Sequence, residues 1–496
     1  MKAVISPENL ILLAVIVPFV GALIIPFFDK LPNLRETVTL VTAGALCLAV
    51  FSLLGPVLDG AKPRADVIKV APGLELAFEV EPLGMLFALI ASSLWVVNSI
   101  YSIGYMRANH EPRQTGFYVC FAVALGSTIG LAFAKNLFTL FLFYEALTIS
   151  TYPLVTHKQN PEAVRAGRIY FLLLLGTSLI LFLPAIIATW VLAGTLDFTP
   201  GGILAGKASA PVIGVLLVLY IFGIGKAAVM PLHFWLPAAM VAPTPVSALL
   251  HAVAVVKAGV FTILKVTTLI FGIETLSVLG QSSWLTLVAG TTVIVASFVA
   301  LRQDNLKRRL AYSTVSQLSY VVLGVAILAP ISVVGAAMHL AAHAMSKITL
   351  FFAAGSIYTA SRLTEVSQLD GIGRRMPWTM TAFAIGALGM IGIPPTAGFL
   401  GKWFMLTGAM QTANWLAIGV MVISTLLNAG YFLPIVFRAF FREAPSVSHA
   451  GSGHHAPHGE APWPIVLALT TTATASAALF IFPEIAFTLS KLMIGR

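Results

Sequence analysis

Glu145, Lys226, His251, Lys257, His339, His343, Lys347 and Lys402 are ionisable side chains set inside long apolar runs of this 496-residue sequence. A lysine at the centre of a bilayer costs about 2.5–3.5 kcal/mol on insertion scales. One such residue reads most simply as a polar group joining two helices. Four central lysines, one glutamate and three histidines together are a cost that a purely structural bundle has little reason to accept, so the set reads as an ion pathway. Positions 339, 343 and 347 are four apart, which keeps them on one slowly drifting helical stripe with steps of roughly 6 Å. A neutral imidazole offers one donor and one acceptor and titrates near neutrality, so two of them beside a lysine make a proton relay. A carboxylate near a buried amine holds it charged, and moving the carboxylate away releases the proton. Spacing does not tell whether Glu145 faces Lys226, because they lie on different helices. Lys265, near the end of its apolar run, reads as a side chain that snorkels to the interface.

Proline accompanies two of these lysines. Pro231, Pro237, Pro243 and Pro245 follow Lys226, and Pro394 with Pro395 precede Lys402. A helix-interior proline removes a backbone hydrogen bond, and breaks within a membrane are tolerated only where they line a cavity or pack in protein. Paired interrupted helices in corresponding halves mark the binding region of many transporters.

These residues must be positioned by an all-α membrane protein. The chain is 58% hydrophobic and 10% charged, against about 25% charged in soluble proteins. Apolar runs long enough to span occur near residues 9–28, 37–56, 83–104, 117–134, 137–155, 166–193, 211–230, 246–271, 284–301, 310–329, 331–358, 379–409, 415–437 and 464–490. That is about fourteen transmembrane helices, two of them broken, with the first run kept as a span rather than cleaved. The formal net charge of +10 is topology rather than a nucleic-acid footprint: with both termini outside, the inside loops carry about twice the Lys and Arg of the outside segments. Cys47 and Cys120 lie in separate spans and offer no disulfide framework or cluster ligands. In the polar loop 446–462, His454, His455 and His458 read as part of a flexible linker, with weak metal binding as the alternative. The acids of 56–81 (Asp59, Asp66, Glu75, Glu79, Glu81) read as a solvated outside face.

The stretches "FYEALTISTYPLV", "GKAAVMPLHFWLPAAMVAPTPVSALLHAVAVVKAG", "DNLKRRLAYSTVSQLSY", "HLAAHAMSKITLFFAAGSI" and "GIPPTAGFLGKW" resemble the antiporter-like subunits shared by respiratory complex I, membrane-bound hydrogenases and Mrp-type cation/proton antiporters. The likeness covers roughly residues 115–440. It implies fourteen helices with two inverted five-helix repeats, the fourth to eighth and ninth to thirteenth spans, and three regions: N-terminal helices 1–114, a translocating core 115–445 and a last loop and span 446–496. It also implies that Glu145 pairs with Lys226, that Lys257 is the central relay lysine with His251 nearby, that His339, His343 and Lys347 form a polar stripe, and that Lys402 is the terminal ionisable group. Some family members carry glutamate at that last position. The chain stops shortly after its last predicted span, without the long lateral helix of complex I's most distal such subunit, and its overall look is nearest the D-type Mrp subunit.

The resulting expectation is a proton-translocating subunit in a cell (inner) membrane. Its partners are other membrane subunits, the lipid bilayer, H⁺ and either Na⁺ or K⁺, with no nucleic acid, cofactor or metal. A pumping subunit of NADH:quinone oxidoreductase or a hydrogenase is the alternative, although no redox site is legible in the chain. Haem ligation by His251 and His343, and a passive scaffold, are the remaining readings.

Overall fold

The structure is a computed structural model and describes residues 6–71, 74–280, 282–443 and 459–495. The histidines of the 446–462 loop, His454, His455 and His458, lie outside the described residues. Among those described, eleven helices are long and apolar enough to cross a membrane, and Ala210–Gly223 and Pro377–Ile391 are shorter apolar helices. Leu306–Ala326 is a further helix, lying on the predicted run 310–329.

Local chemistry sets the helix boundaries. Asn136, Asn160, Asn305 and Asn414 each accept a hydrogen bond from the backbone N–H three residues on, capping the helices that follow. Proline occupies the first turn of Pro32–Leu58, Pro82–Ala108, Pro161–Thr177 and Pro330–Ser361, where its missing N–H removes nothing.

Burial is distributed unevenly, and this positions the site. The helices Thr244–Phe271 and Pro330–Ser361 are enclosed by protein over nearly their whole length, whereas Pro7–Phe28, Pro161–Ala193 and Trp463–Ile481 keep most of their surface outward. His251, Lys257, His339, His343 and Lys347 all sit on the two enclosed helices, where polar side chains can meet each other rather than lipid.

Both broken helices form. Ala210–Gly223 ends in a 3₁₀ turn over Gly225–Ala227, Ala228 takes a left-handed backbone (φ +54°), and helix resumes at Trp235. Pro377–Ile391 ends at Gly392 (φ +86°), and helix resumes over Ala397–Gln411. π-helical turns at Leu249–Val253 and Val266–Phe271 flank Lys257 on its helix; such bulges recur at functional positions.

Within the outside segment, Arg64–Ala71 (β1) and Leu74–Glu79 (β2) pair as antiparallel strands, β1 against helix Pro7–Ile24 and β2 against helix Leu137–Val155. Two expectations need correction. Lys265 does not snorkel. Its side chain is fully buried, with Nζ 3.2 Å from Glu81 Oε2 and donating to the Ala134 carbonyl at 2.7 Å, so Glu81 is not part of a solvated face either. A lysine whose stem cannot reach water stays buried only if its charge is answered locally. The run 464–490 is two helices, Trp463–Ile481 and Glu484–Leu492, because Pro483 interrupts it.

Candidate ion-translocation site

Lys226 lies in the 3₁₀ turn of the first broken helix, and the turn is held from outside. Trp235 Nε1 donates to the Gly225 carbonyl at 3.1 Å. Gly259 of the enclosed helix Thr244–Phe271 packs directly on the Lys226–Ala227 backbone; a Cβ there would come within 2.3 Å of Ala227 N. The Lys226 ammonium reaches the helix Leu137–Val155. It donates to the Tyr144 carbonyl at 2.9 Å and to Thr148 Oγ1 at 2.5 Å, and lies 3.2 Å from the Tyr144 ring centroid. Tyr144 and Thr148 are four apart and share the face that meets it.

Glu145 is the next residue round that helix, a quarter turn away. Both carboxylate oxygens are buried and make no hydrogen bond, and no ion pair joins Glu145 to Lys226 among the described residues. The implied pair is therefore two neighbouring groups on one helix–turn junction, not a closed salt bridge.

Across the two enclosed helices, Lys257 Nζ and His343 Nδ1 are 2.5 Å apart. Either atom can carry the proton between them: an ammonium donates to a neutral imidazole, and a neutral amine accepts from Nδ1–H. The far nitrogen of His343 and both ring nitrogens of His339 are buried without a partner. The two rings are 6.0 Å apart, and the His339 ring lies 5.8 Å from that of Tyr320. Lys402, on the second broken helix, has its Nζ 4.7 Å from the Tyr320 ring centroid and donates to the Met390 and Ile391 carbonyls, each at 2.9 Å. Those carbonyls are free because helix Pro377–Ile391 stops there. Lys257, His343, His339, Tyr320 and Lys402 are thus successive buried neighbours, joined by a hydrogen bond at Lys257–His343 and by ring contacts beyond it.

Two expected members stand beside that row. Lys347 turns to Ser313 Oγ at 2.5 Å and the Leu310 carbonyl at 3.2 Å. His251 lies against Phe351, ring centroids 4.8 Å apart, with both nitrogens unpartnered. The residue-by-residue reading missed Tyr144, Thr148, Ser313, Tyr320 and Gln317. Gln317 donates to the Met390 carbonyl that Lys402 also uses and leaves its own oxygen unpartnered. The available signal was hydroxyl and amide residues at helical spacing in "LAYSTVSQLSY". Among the described residues no group of three or more His, Cys, Asp or Glu is arranged to hold a metal.

A family model described as NADH:quinone oxidoreductase/Mrp antiporter, TM, matches residues 134–428, which contain all eight of the ionisable residues singled out above. NADH-quinone oxidoreductase subunit N of Desulforudis audaxviator is 30% identical over 450 residues, covering 88% of this chain and 87% of that protein. A probable K(+)/H(+) antiporter subunit of Rhizobium meliloti is 30% identical over 90% of this chain, which spans about half (45%) of that longer protein. The solved Mrp complex of Dietzia sp. contains a chain of the same fold, with a TM-score of 0.86 at 22% identity over 99% of this chain and 97% of that one.

Proposed function

This chain belongs to the family of NADH:quinone oxidoreductase and Mrp antiporter membrane subunits, and on that premise we propose that it is the proton-translocating, D-like subunit of a multisubunit monovalent cation/proton antiporter. The observation that carries the reading is the 2.5 Å contact between Lys257 and His343 inside the two enclosed helices, continued by His339 toward Lys402. Protons enter near Lys226, reach Lys257, pass through His343 and His339 and leave near Lys402. Glu145 modulates Lys226, while His251 and Lys347 tune the row from either side. The core is residues 115–445, with 1–114 and 446–496 as flanking regions, and Na⁺ or K⁺ is exchanged elsewhere in the assembly. Both termini lie on the outer side of a cell membrane, as the excess of Lys and Arg in the loops assigned to the inside favours.

The test is proton movement in everted vesicles containing the assembled complex. Lys226→Arg should abolish cation-driven proton release although it keeps the positive charge, because a guanidinium is not deprotonated in proteins. Wild-type rates in that variant would refute a carrier role for Lys226.

A second reading has its own support. The relative that matches over nearly its entire length is named as an NADH-quinone oxidoreductase subunit. Under it the same row pumps protons in a redox-driven complex. The subunits that copurify decide: small membrane proteins for the antiporter, iron–sulfur and flavin proteins for the alternative.

A further inference from the structure

A second feature of the first broken helix faces outward. In the chain segment that follows the Lys226 turn, a cleft of about 450 Å³ opens between helix Pro161–Thr177, the segment 234–241 and the start of helix Leu306–Ala326. Its lining divides by chemistry. Phe234, 57% exposed, and Ile169 form an outward apolar wall. Arg165 and Arg308 stand at the arginine-rich end, both exposed. Their guanidinium groups make no hydrogen bond or ion pair among the described residues. Glu162 also lines the cleft, so two guanidinium groups face one carboxylate and the lining is net positive.

We propose that this cleft binds one anionic phospholipid from the leaflet at the arginine-rich face. Its phosphodiester lies between Arg165 and Arg308, and an acyl chain runs along Phe234 and Ile169. Basic pockets between transmembrane helices on the positively charged side recognise anionic headgroups in this way, and the planar guanidinium fork matches phosphate oxygens in pairs. A peptide partner would satisfy the apolar wall but needs acids at the spacing of the two arginines, whereas every anionic phospholipid brings its phosphate and its chain already joined. The floor of the cleft is the resumed half of the broken helix (Pro237, Met240, Val241). The bound lipid therefore braces the segment that follows Lys226, whichever ion the protein moves.

The test uses the full chain, purified with whatever subunits accompany it, delipidated and placed in nanodiscs of phosphatidylcholine with or without phosphatidylglycerol. Native mass spectrometry should find phosphatidylglycerol retained by the wild type. Retention should weaken roughly thirtyfold in Arg165→Gln/Arg308→Gln, from two lost surface charges. It should be unchanged in Arg375→Gln, an exposed arginine of the same face outside the cleft. As an independent readout, phosphatidylglycerol should raise the thermal midpoint of the wild type and not of the double variant. Equal retention in the wild type and the double variant, or equal midpoint shifts with phosphatidylcholine, would overturn the proposal. So would a copurifying subunit that crosslinks at Phe234→Cys while no lipid is retained.

Discussion

Lys226 and Lys402 donate to carbonyl oxygens and, for Lys226, to the Thr148 hydroxyl, none of which is basic enough to take the proton, whereas Lys257 faces an imidazole nitrogen that can accept or donate it. The last arrangement is the one that exchanges a proton without moving heavy atoms. Lys257→Arg should therefore stop transport while the complex still assembles, since a guanidinium fixes the proton on one side; vesicle transport at unchanged expression checks it. A different titration governs stability. His157, in the short connection between Leu137–Val155 and Pro161–Thr177, is buried with Nε2 unpartnered, 3.8 Å from Glu111. Burial first, and the Arg113 charge second, lower its pKa from 6.5 to about 4. Its folded form prefers the neutral ring, so the contribution is fully present above pH 6.5. It falls as the pH drops toward about 4, where the unfolded chain binds a proton that the folded chain refuses. Thermal unfolding of the purified protein should show that slope, and His157→Gln should flatten it.

The broken elements work because glycine lets backbones touch. A Cβ at Gly259 would lie 2.3 Å from Ala227 N and 2.4 Å from Lys226 C, and one at Gly398 would lie 1.8 Å from the Gly389 carbonyl oxygen. These neighbours are backbone and cannot rotate aside. Gly259→Ala should therefore displace the Lys226 turn, costing about 1–3 kcal/mol and most of the transport. Gly176→Ala, where the Cβ meets open space, should be silent in both assays. The proline-marked interruptions were legible in sequence, but the reason they hold was not. A glycine in an apolar run looks alike whether it faces lipid or a neighbouring backbone.

Across the whole molecule, the buried Lys265–Glu81 pair ties three distant segments: the start of Pro82–Ala108, the Ala134 carbonyl and, through the ring of Phe198 4.0 Å away, the loop before Ala210–Gly223. Removing one partner strands the other charge, so Glu81→Ala should destabilise the protein by about 3–5 kcal/mol, read as a lowered thermal midpoint. The double variant Glu81→Leu/Lys265→Met should recover much of that loss, since it leaves no buried charge unanswered.

Composition, apolar runs of spanning length and the charges within them determined the membrane class and the two interruptions and marked eight ionisable residues inside those runs, because these follow from transfer free energies that act residue by residue. The all-α membrane architecture and family membership came through the quoted motifs. Tertiary structure alone decided which of those residues meet. Lys257 and His343 are 86 positions apart, and Lys265 and Glu81 lie 184 apart. Tyr320 stands between His339 and Lys402 because helix Leu306–Ala326 packs there. Helical periodicity says which side of its own helix a residue faces. The neighbour on that side is set by packing among all the helices, to which distant parts of the chain contribute equally.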